Sequence, residues 1–485
     1  MLTKIKMMFD YAIVGAGIGG VLSSALLSHM GKKVALFEAQ SYLGGCAGTF
    51  SRGGYSYNAG ATTFVGASPI LNVAKALNLE LPIKPTDLSM TIYSGDAQIP
   101  RWKDPEMSIL EIKRAFGAKR QDAFWQRTLS LSSSLWELLP HALPFHPVIS
   151  PLRMLLKSPK KTLSSFLCNF ISAKSVAKFY LGNISEDFEN FLDHHCLITA
   201  QGKLSEVPFS VASMGLCYPN LQNYSVIGGM SAILEVFAKK VENVFRKTVV
   251  NSVEPLKDGF KLKTTAGEFF AKRVILNTTV FDAGKICKEL TAYSERAKER
   301  YPHLWGAFAI YMTIENSIDL EGHHLILLKE PIPNTLSRSL FVSISHPEDP
   351  ILSKNSTRSI TISTHTFLSI WENLSKEEYI EKKQKTTEHC LNLIYEHLPS
   401  LKHVRKIATF SATPKTFQKY TLRHRGSVGG IPLYKKHFPF GYPSPITPIK
   451  GLYIIGDTTF PGQGWPGVAI GVMNLLLKIE GKSPW

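Results

Sequence analysis

The chain has 485 residues, 44% of them apolar and 11% aromatic, which is enough for two or three domains with substantial cores and excludes a disordered protein. Its 55 Lys and Arg against 38 Asp and Glu leave a net charge of +17, a balance suited to anionic membrane surfaces or acidic ligands. Nucleic acid is set aside as a partner, because the chain carries no zinc-finger spacing, no recognisable nucleic-acid motif and no basic tail.

Residues 11–14 form a short apolar run of the kind buried as a central parallel strand, and it leads directly into GAGIGG. The pattern is GxGxxG at Gly15, Gly17 and Gly20, with Gly19 beside it. Gly15 permits a tight turn, Gly17 lets backbone approach a pyrophosphate, and Gly20 lets the next helix lie near the sheet. Residues 21–30 read as that helix, Gly31 as its C-cap and residues 33–37 as the second strand, which closes on Glu38, a carboxylate placed to accept from a ribose hydroxyl. The uncharged stretch 11–30, with Lys4 and Lys6 ahead of it, has the length of a membrane span. Its clustered glycines and the strand ending in Glu38 argue instead for a dinucleotide unit in a mature, cytoplasmic chain.

Residues 52–65 alternate glycine, aromatic and small side chains, as strands and turns beside a ligand would, and residues 104–139 are helical in pattern. No acid occurs between Glu137 and Glu186. Arg153, Lys157, Lys160, Lys161, Lys174 and Lys178 are interleaved there with Leu152, Met154, Phe166, Phe170 and Phe179, the composition of a basic amphipathic surface element. Residues 225–241 read as a turn and a helix, and residues 244–279 as strands around turns at Gly259 and Gly267. The block 285–425 mixes helices with strands such as 359–364. Residues 451–479 supply a strand, Gly456 and Asp457, a Gly/Pro-rich loop and a helix starting near Pro466 or Gly467. The start of that helix suits the pyrimidine edge of a flavin, and Asp457 suits a cofactor hydroxyl, which favours FAD over NAD. The six cysteines stand singly, as in a reducing compartment, and the runs His194-His195-Cys196 and His323-His324 lack the spacing of metal ligands, so no metal site is expected.

These motifs, together with YNAGATTFVG at 57–66, IGGM at 227–230, RGSVGGIP at 425–432 and GLYIIGDTTFPGQG at 451–464, give a chain that resembles the phytoene desaturase family of FAD-dependent oxidoreductases along almost its whole length. That family includes carotenoid desaturases, carotenoid isomerases and retinol saturases. The resemblance implies an α/β fold: a Rossmann-like FAD-binding domain assembled from segments 7–85, 222–285 and 425–485, and an α+β substrate-binding, membrane-facing region from 86–221 and 286–424. It places FAD on Gly15, Gly17, Gly20, Glu38, Gly44, Gly45, Gly456 and Asp457, with Gly19 and Cys46 alongside and Gly464 and Gly467 near the isoalloxazine. Many relatives have a basic residue where this chain has Cys46; retinol saturases and some carotenoid desaturases resemble it there, and a small buried packing residue is the expected role.

The implied activity is desaturation, saturation or cis–trans isomerisation of a carotenoid-like or other isoprenoid lipid at a membrane surface. NAD(P)H is retained as a transient reductant, since the chain has one complete GxGxxG. Flavin chemistry demands orientation and an apolar pocket rather than a visible acid–base dyad, so no catalytic side chain is assigned. Phe64, Phe440, Tyr442, Phe460 and Trp465 are candidates for lining a substrate tunnel. The alternatives are an amine-oxidase-like enzyme on a soluble substrate and a non-catalytic flavin-fold protein that handles lipid. Oligomeric state stays open.

Overall fold

The first strand, Met8–Val14, is buried on both faces, as its unbroken apolar run requires of a central parallel strand. Tyr11 and Ile13 enter one core with the helix Ile18–His29; Ala12 and Val14 enter another on the opposite face. In this computed structural model the described residues are 8–139, 155–156, 158–335, 337–438 and 440–481. Lys4, Lys6, Leu152, Arg153, Met154 and Lys157 lie outside them.

The first strand pairs in parallel with Val34–Phe37 on one side and with Gly267–Leu276 on the other. Asn243–Phe245 extends the sheet beyond Val34–Phe37, and Leu452–Ile454 pairs in parallel with the carboxyl end of Gly267–Leu276. The register brings Val14 level with Phe37 and Leu276, and Leu276 level with Ile454, so strands from three distant parts of the chain end along one edge. Ligands in open α/β sheets bind beyond such carboxyl ends. The amino half of Gly267–Leu276 pairs antiparallel with Gly259–Thr264, which in turn pairs with Val250–Leu256.

A second, mostly antiparallel sheet runs in the order Lys406–Ala412, Trp305–Glu315, Thr357–Phe367, Ser339–Ile344, Gly322–Leu327, Leu88–Ser94 and Ala97–Trp102. Its inner pair, Gly322–Leu327 and Leu88–Ser94, is parallel. Helices Gln121–Leu138, Pro159–Leu167, Ala173–Leu181, Glu186–Ala200 and Phe209–Cys217 form an adjoining helical layer. The mixed α/β class inferred from the motifs is the observed one.

Two helices begin earlier than their apolar runs suggest. The first starts at Ile18 rather than at residue 21, because Gly17 is the extended N-cap and Gly19 and Gly20 fall in its first turn. Gly20 belongs there for contact rather than flexibility: a Cβ would lie 1.9 Å from the carbonyl oxygen of Gly15. The last helix is Gly464–Glu480, with Pro466 inside its first turn, where proline forfeits no intrahelical bond. At the other end of the first helix Met30 is the cap and Gly31 follows it at φ +75°, with the Lys32 N–H bonded to Leu27 O at 3.0 Å. Among the described residues no helix is long and apolar enough to cross a membrane.

These two glycines separate steric from conformational demand. Gly31→Ala meets no atom within 4 Å and is expected to cost about 1–2 kcal/mol through its left-handed backbone alone. Gly20→Ala must displace a backbone carbonyl and is expected to cost about 3 kcal/mol or more. Denaturant titration of the two variants checks the order; equal losses would show that the turn yields to the added methyl.

Candidate cofactor and substrate cavity

Beyond the aligned strand ends lies a cavity of about 980 Å³. Gly15, Gly17, Gly19, Glu38, Gly44, Gly45, Cys46, Gly456, Asp457, Gly464 and Gly467 all line it. Gly20 does not; it is buried behind the turn, where it lets the helix close on Gly15.

At one end the glycine turn lies open to the cavity. Gly17 caps the first helix without any side-chain cap among the described residues, which leaves the first-turn N–H groups available to an anion. The Gly44 N–H bonds to Ala16 O at 2.8 Å, tying the Gly44–Cys46 turn to the glycine turn. Glu38 accepts from the Ala16 and Gln40 N–H groups, both at 2.8 Å; burial raises its pKa against those bonds. Asn277, at the end of Gly267–Leu276, was not singled out from sequence. Its backbone N–H bonds to Val14 O at 2.8 Å and its carboxamide donates to Gly15 O at 3.2 Å. A strand-end asparagine has no local pattern to announce it.

Arg423 was also missed. Of the arginines in Arg423-His424-Arg425, the one inside the RGSVGGIP motif turns outward to Glu372, at 2.6 and 2.7 Å, while Arg423 turns into the cavity wall. Its Nη2 lies 3.0 and 2.9 Å from the two carboxylate oxygens of Asp457, and its Nε donates to Ser427 O at 2.7 Å. Burial works against the charge of this guanidinium, but the carboxylates of Asp457 and Asp282 more than offset that and hold it protonated. Asp457, expected to meet a cofactor hydroxyl, is therefore committed to Arg423 here. The Cys46 thiol is pushed up by burial against the pull of Arg423, and its neutrality fits packing rather than a redox role.

Away from the glycine turns the cavity is lined by Trp136, Met214, Phe341, Leu433, Phe438 and Trp465, with Ser339, Ser363 and Thr364 among the strand residues there. His365 joins this wall, and burial pulls its imidazole down to about 4, so it is neutral at physiological pH. Among the described residues the carboxylates in the wall are Glu38, Asp282 and Asp457, and each is engaged by the protein. Asp282 accepts from the His424 N–H at 2.7 Å and pairs with Lys285 at 2.8 Å. The last helix, Gly464–Glu480, opens on this region, and the carboxamide of its N-cap Gln463 donates to Thr199 O rather than capping the helix. Uncapped helix starts, a glycine cradle and a buried acid around one cavity fit FAD: its diphosphate would meet the first helix and its flavin the last.

Of the five aromatics proposed for a tunnel, Trp465 lines the cavity. Phe64 packs edge-on beneath Trp465, centroids 5.2 Å apart, and Phe460 stacks at 5.8 Å on Phe438, which does face the cavity. Tyr442 is a structural tie, its hydroxyl 3.0 Å from the carbonyls of Ile431 and Asp457. Phe440 is 65% exposed. The histidine runs are engaged elsewhere: His195 lies 2.6 Å from Arg101, and His324 lies between Tyr93 and Glu321 O.

Comparison with known proteins agrees with the geometry. The model of an NAD(P)-binding Rossmann-like domain matches residues 13–77. The chain is 28% identical to a chloroplastic prolycopene isomerase 2 from an Oncidium hybrid cultivar, over 96% of this chain and 83% of that protein. It is 22% identical to a 1-hydroxycarotenoid 3,4-desaturase from a Flavobacterium species, over 94% and 95% of the two chains. Among solved structures, wild-type putrescine oxidase bound to putrescine superposes with a TM-score of 0.66 at 14% identity, covering 98% of this chain and all of that one (100%), a likeness of fold.

The neutral, packed thiol yields an expectation. Cys46→Ser should leave flavin stoichiometry unchanged, read from the ratio of visible to ultraviolet absorbance of the purified protein. Loss of flavin from a variant that still folds would overturn the packing role.

Proposed function

We infer that this chain, a member of the phytoene desaturase-like FAD-dependent oxidoreductases, acts on the double bonds of a carotenoid-like polyene, with cis–trans isomerisation as the reaction and desaturation as its nearest alternative. The observation that carries this reading is the division of one cavity into a polar, glycine-lined end and a largely apolar end whose wall, among the described residues, offers no free carboxylate. A cationic amine would have to leave water without a counter-charge, which is costly; a hydrocarbon brings no charge to desolvate. The activities for which the prolycopene isomerase and the hydroxycarotenoid desaturase are named, in relatives matched over nearly the full length of this chain, support the same substrate class.

Bound FAD supplies the two-electron exchange that no side chain here can perform. The chain's own residues contribute position and environment. The first turn of Gly464–Glu480, which has no side-chain cap among the described residues, would direct its N–H groups at developing negative charge, Trp465 and Phe438 form an apolar wall that excludes water, and His365 stays neutral beside the substrate. Isomerisation is redox-neutral overall, so a single dinucleotide unit suffices, with NAD(P)H as a transient reductant for priming the flavin.

We further propose that substrate enters from a membrane at the cytoplasmic surface. Leu163, Phe166, Leu167, Phe170, Ile171 and Phe179 are exposed on and between the helices Pro159–Leu167 and Ala173–Leu181, with Lys160, Lys161, Lys174 and Lys178 exposed among them. Phe440 adds to this patch, its ring 6.1 Å from that of Phe166. Asn169, which lines the cavity, sits between exposed Leu167 and Phe170 and links patch to cavity. Aromatic and aliphatic side chains among lysines are the composition of an interfacial surface.

Expression in a strain that accumulates cis-polyenes, followed by chromatography and mass measurement of the pigments, tests the chemistry. Isomerisation shifts the absorption spectrum at constant mass, and desaturation removes two hydrogens. Unaltered pigments together with turnover of primary amines would overturn the reading. For the surface, replacing Phe166, Phe170 and Phe179 by Ser should lower the bound fraction in sedimentation with anionic vesicles by about tenfold or more; undiminished sedimentation would remove this patch from the proposal.

A further inference from the structure

We propose that Arg423 is the cation that neutralises the cofactor diphosphate, reaching from the far end of the sequence the place beside Cys46 where the local turn supplies none. The proposal rests on FAD binding and is independent of which polyene, if any, is the substrate. A diphosphate brings two negative charges to a site whose local elements, the Gly15–Gly20 turn and the Gly44–Cys46 turn, offer only backbone N–H groups and a neutral thiol. Among the described residues, the lysine or arginine cations in the cavity wall are Lys285 and Arg423. Lys285 has a side chain 58% exposed and is committed to Asp282, so water screens it. The side chain of Arg423 is 15% exposed, where a charge acts with far less screening.

The fold delivers Arg423 to this place. Helix Pro414–Thr421 packs against the Gly45–Ala47 turn, and Gln40, two residues past Glu38, donates to Tyr420 O at 2.9 Å. The chain leaving that helix therefore runs alongside the glycine turns, and Arg423 projects into the wall that Cys46 and Asp457 share. Its Nε and Nη2 are engaged by Ser427 O and Asp457; its Nη1 makes no hydrogen bond among the described residues, leaving a donor for a phosphate oxygen. Without cofactor, Asp457 balances Arg423, and the pair together is neutral. On binding, the guanidinium is shared between Asp457 and the diphosphate, which frees carboxylate capacity for the cofactor hydroxyl expected at Asp457.

The test is a binding cycle on apoprotein, using FAD, ADP and riboflavin as probes, with folding checked by circular dichroism. Wild-type protein should bind FAD; failure to do so would overturn the FAD reading itself and this proposal with it. Arg423→Gln should weaken both FAD and ADP by about tenfold to a hundredfold, the range of a charge-assisted hydrogen bond, and leave riboflavin unchanged, while Arg423→Lys retains most of the affinity. The double variant R423Q/D457N distinguishes direct contact from relief of repulsion. ADP affinity that stays low in the double variant supports contact with the diphosphate. ADP affinity restored to wild type would show that Arg423 merely neutralises Asp457 and would overturn the proposal. Unchanged FAD and ADP binding in R423Q, or a parallel loss of riboflavin, would overturn it as well.

Discussion

The close approach between the turn after the first strand and the end of Gly267–Leu276 is the constraint from which the rest of the molecule follows. Val14 and Leu276 end side by side, Asn277 bonds to Val14 O and Gly15 O, and no side chain can intervene: a Cβ on Gly15 would lie 2.8 Å from Asn277 O, and one on Gly17 would lie 2.8 Å from Asn277 Nδ2. Because those atoms belong to a strand more than two hundred residues away in sequence, the dinucleotide turn is complete only after the sheet has assembled. The last strand then aligns on Leu276, which brings Gly456, Asp457 and the final helix to the same edge. Cofactor binding and sheet formation are thus two consequences of one packing requirement.

Charge in the cavity is arranged with similar economy. A buried ion pair contributes little net stability, since desolvation consumes most of its attraction, so the Arg423–Asp457 pair is better understood as positioning than as reinforcement. It holds a carboxylate and a guanidinium in fixed relation beside the glycine turns. Beyond them the wall becomes more apolar and His365 is kept uncharged, so that one cavity joins a glycine-lined, hydrogen-bonding end to a largely apolar one.

Much of the site was legible in the sequence because its requirements are local. Gly15, Gly17, Gly19, Glu38, Gly44, Gly45, Cys46, Gly456 and Asp457 fall within turns whose backbone path depends on the residues themselves, and all reach the cavity wall. The residues overlooked, Asn277 and Arg423, sit in local surroundings that do not distinguish them. Arg423 and Arg425 are two residues apart in the same polar stretch, and only the packing of Pro414–Thr421 on the Gly45–Ala47 turn determines that one enters the cavity while the other meets Glu372. Aromatic residues were the least legible. Tyr442, Phe64 and Trp465 are all buried, and burial preference alone does not tell a core ring from one that faces a cavity.

What the sequence by itself determined is the class of fold and the dinucleotide turn, because glycine spacing, strand-length apolar runs and a terminal acid constrain backbone geometry over short distances; the family of chemistry came from the resemblance of its motifs to a known family. Tertiary structure alone decided which distant strand closes the turn, which arginine joins the cavity, that Asp457 is paired, and that the apolar end lacks a free carboxylate among the described residues. Those outcomes depend on contacts between segments far apart along the chain, whose energies arise only when the sheet is formed and water is excluded from the space between them.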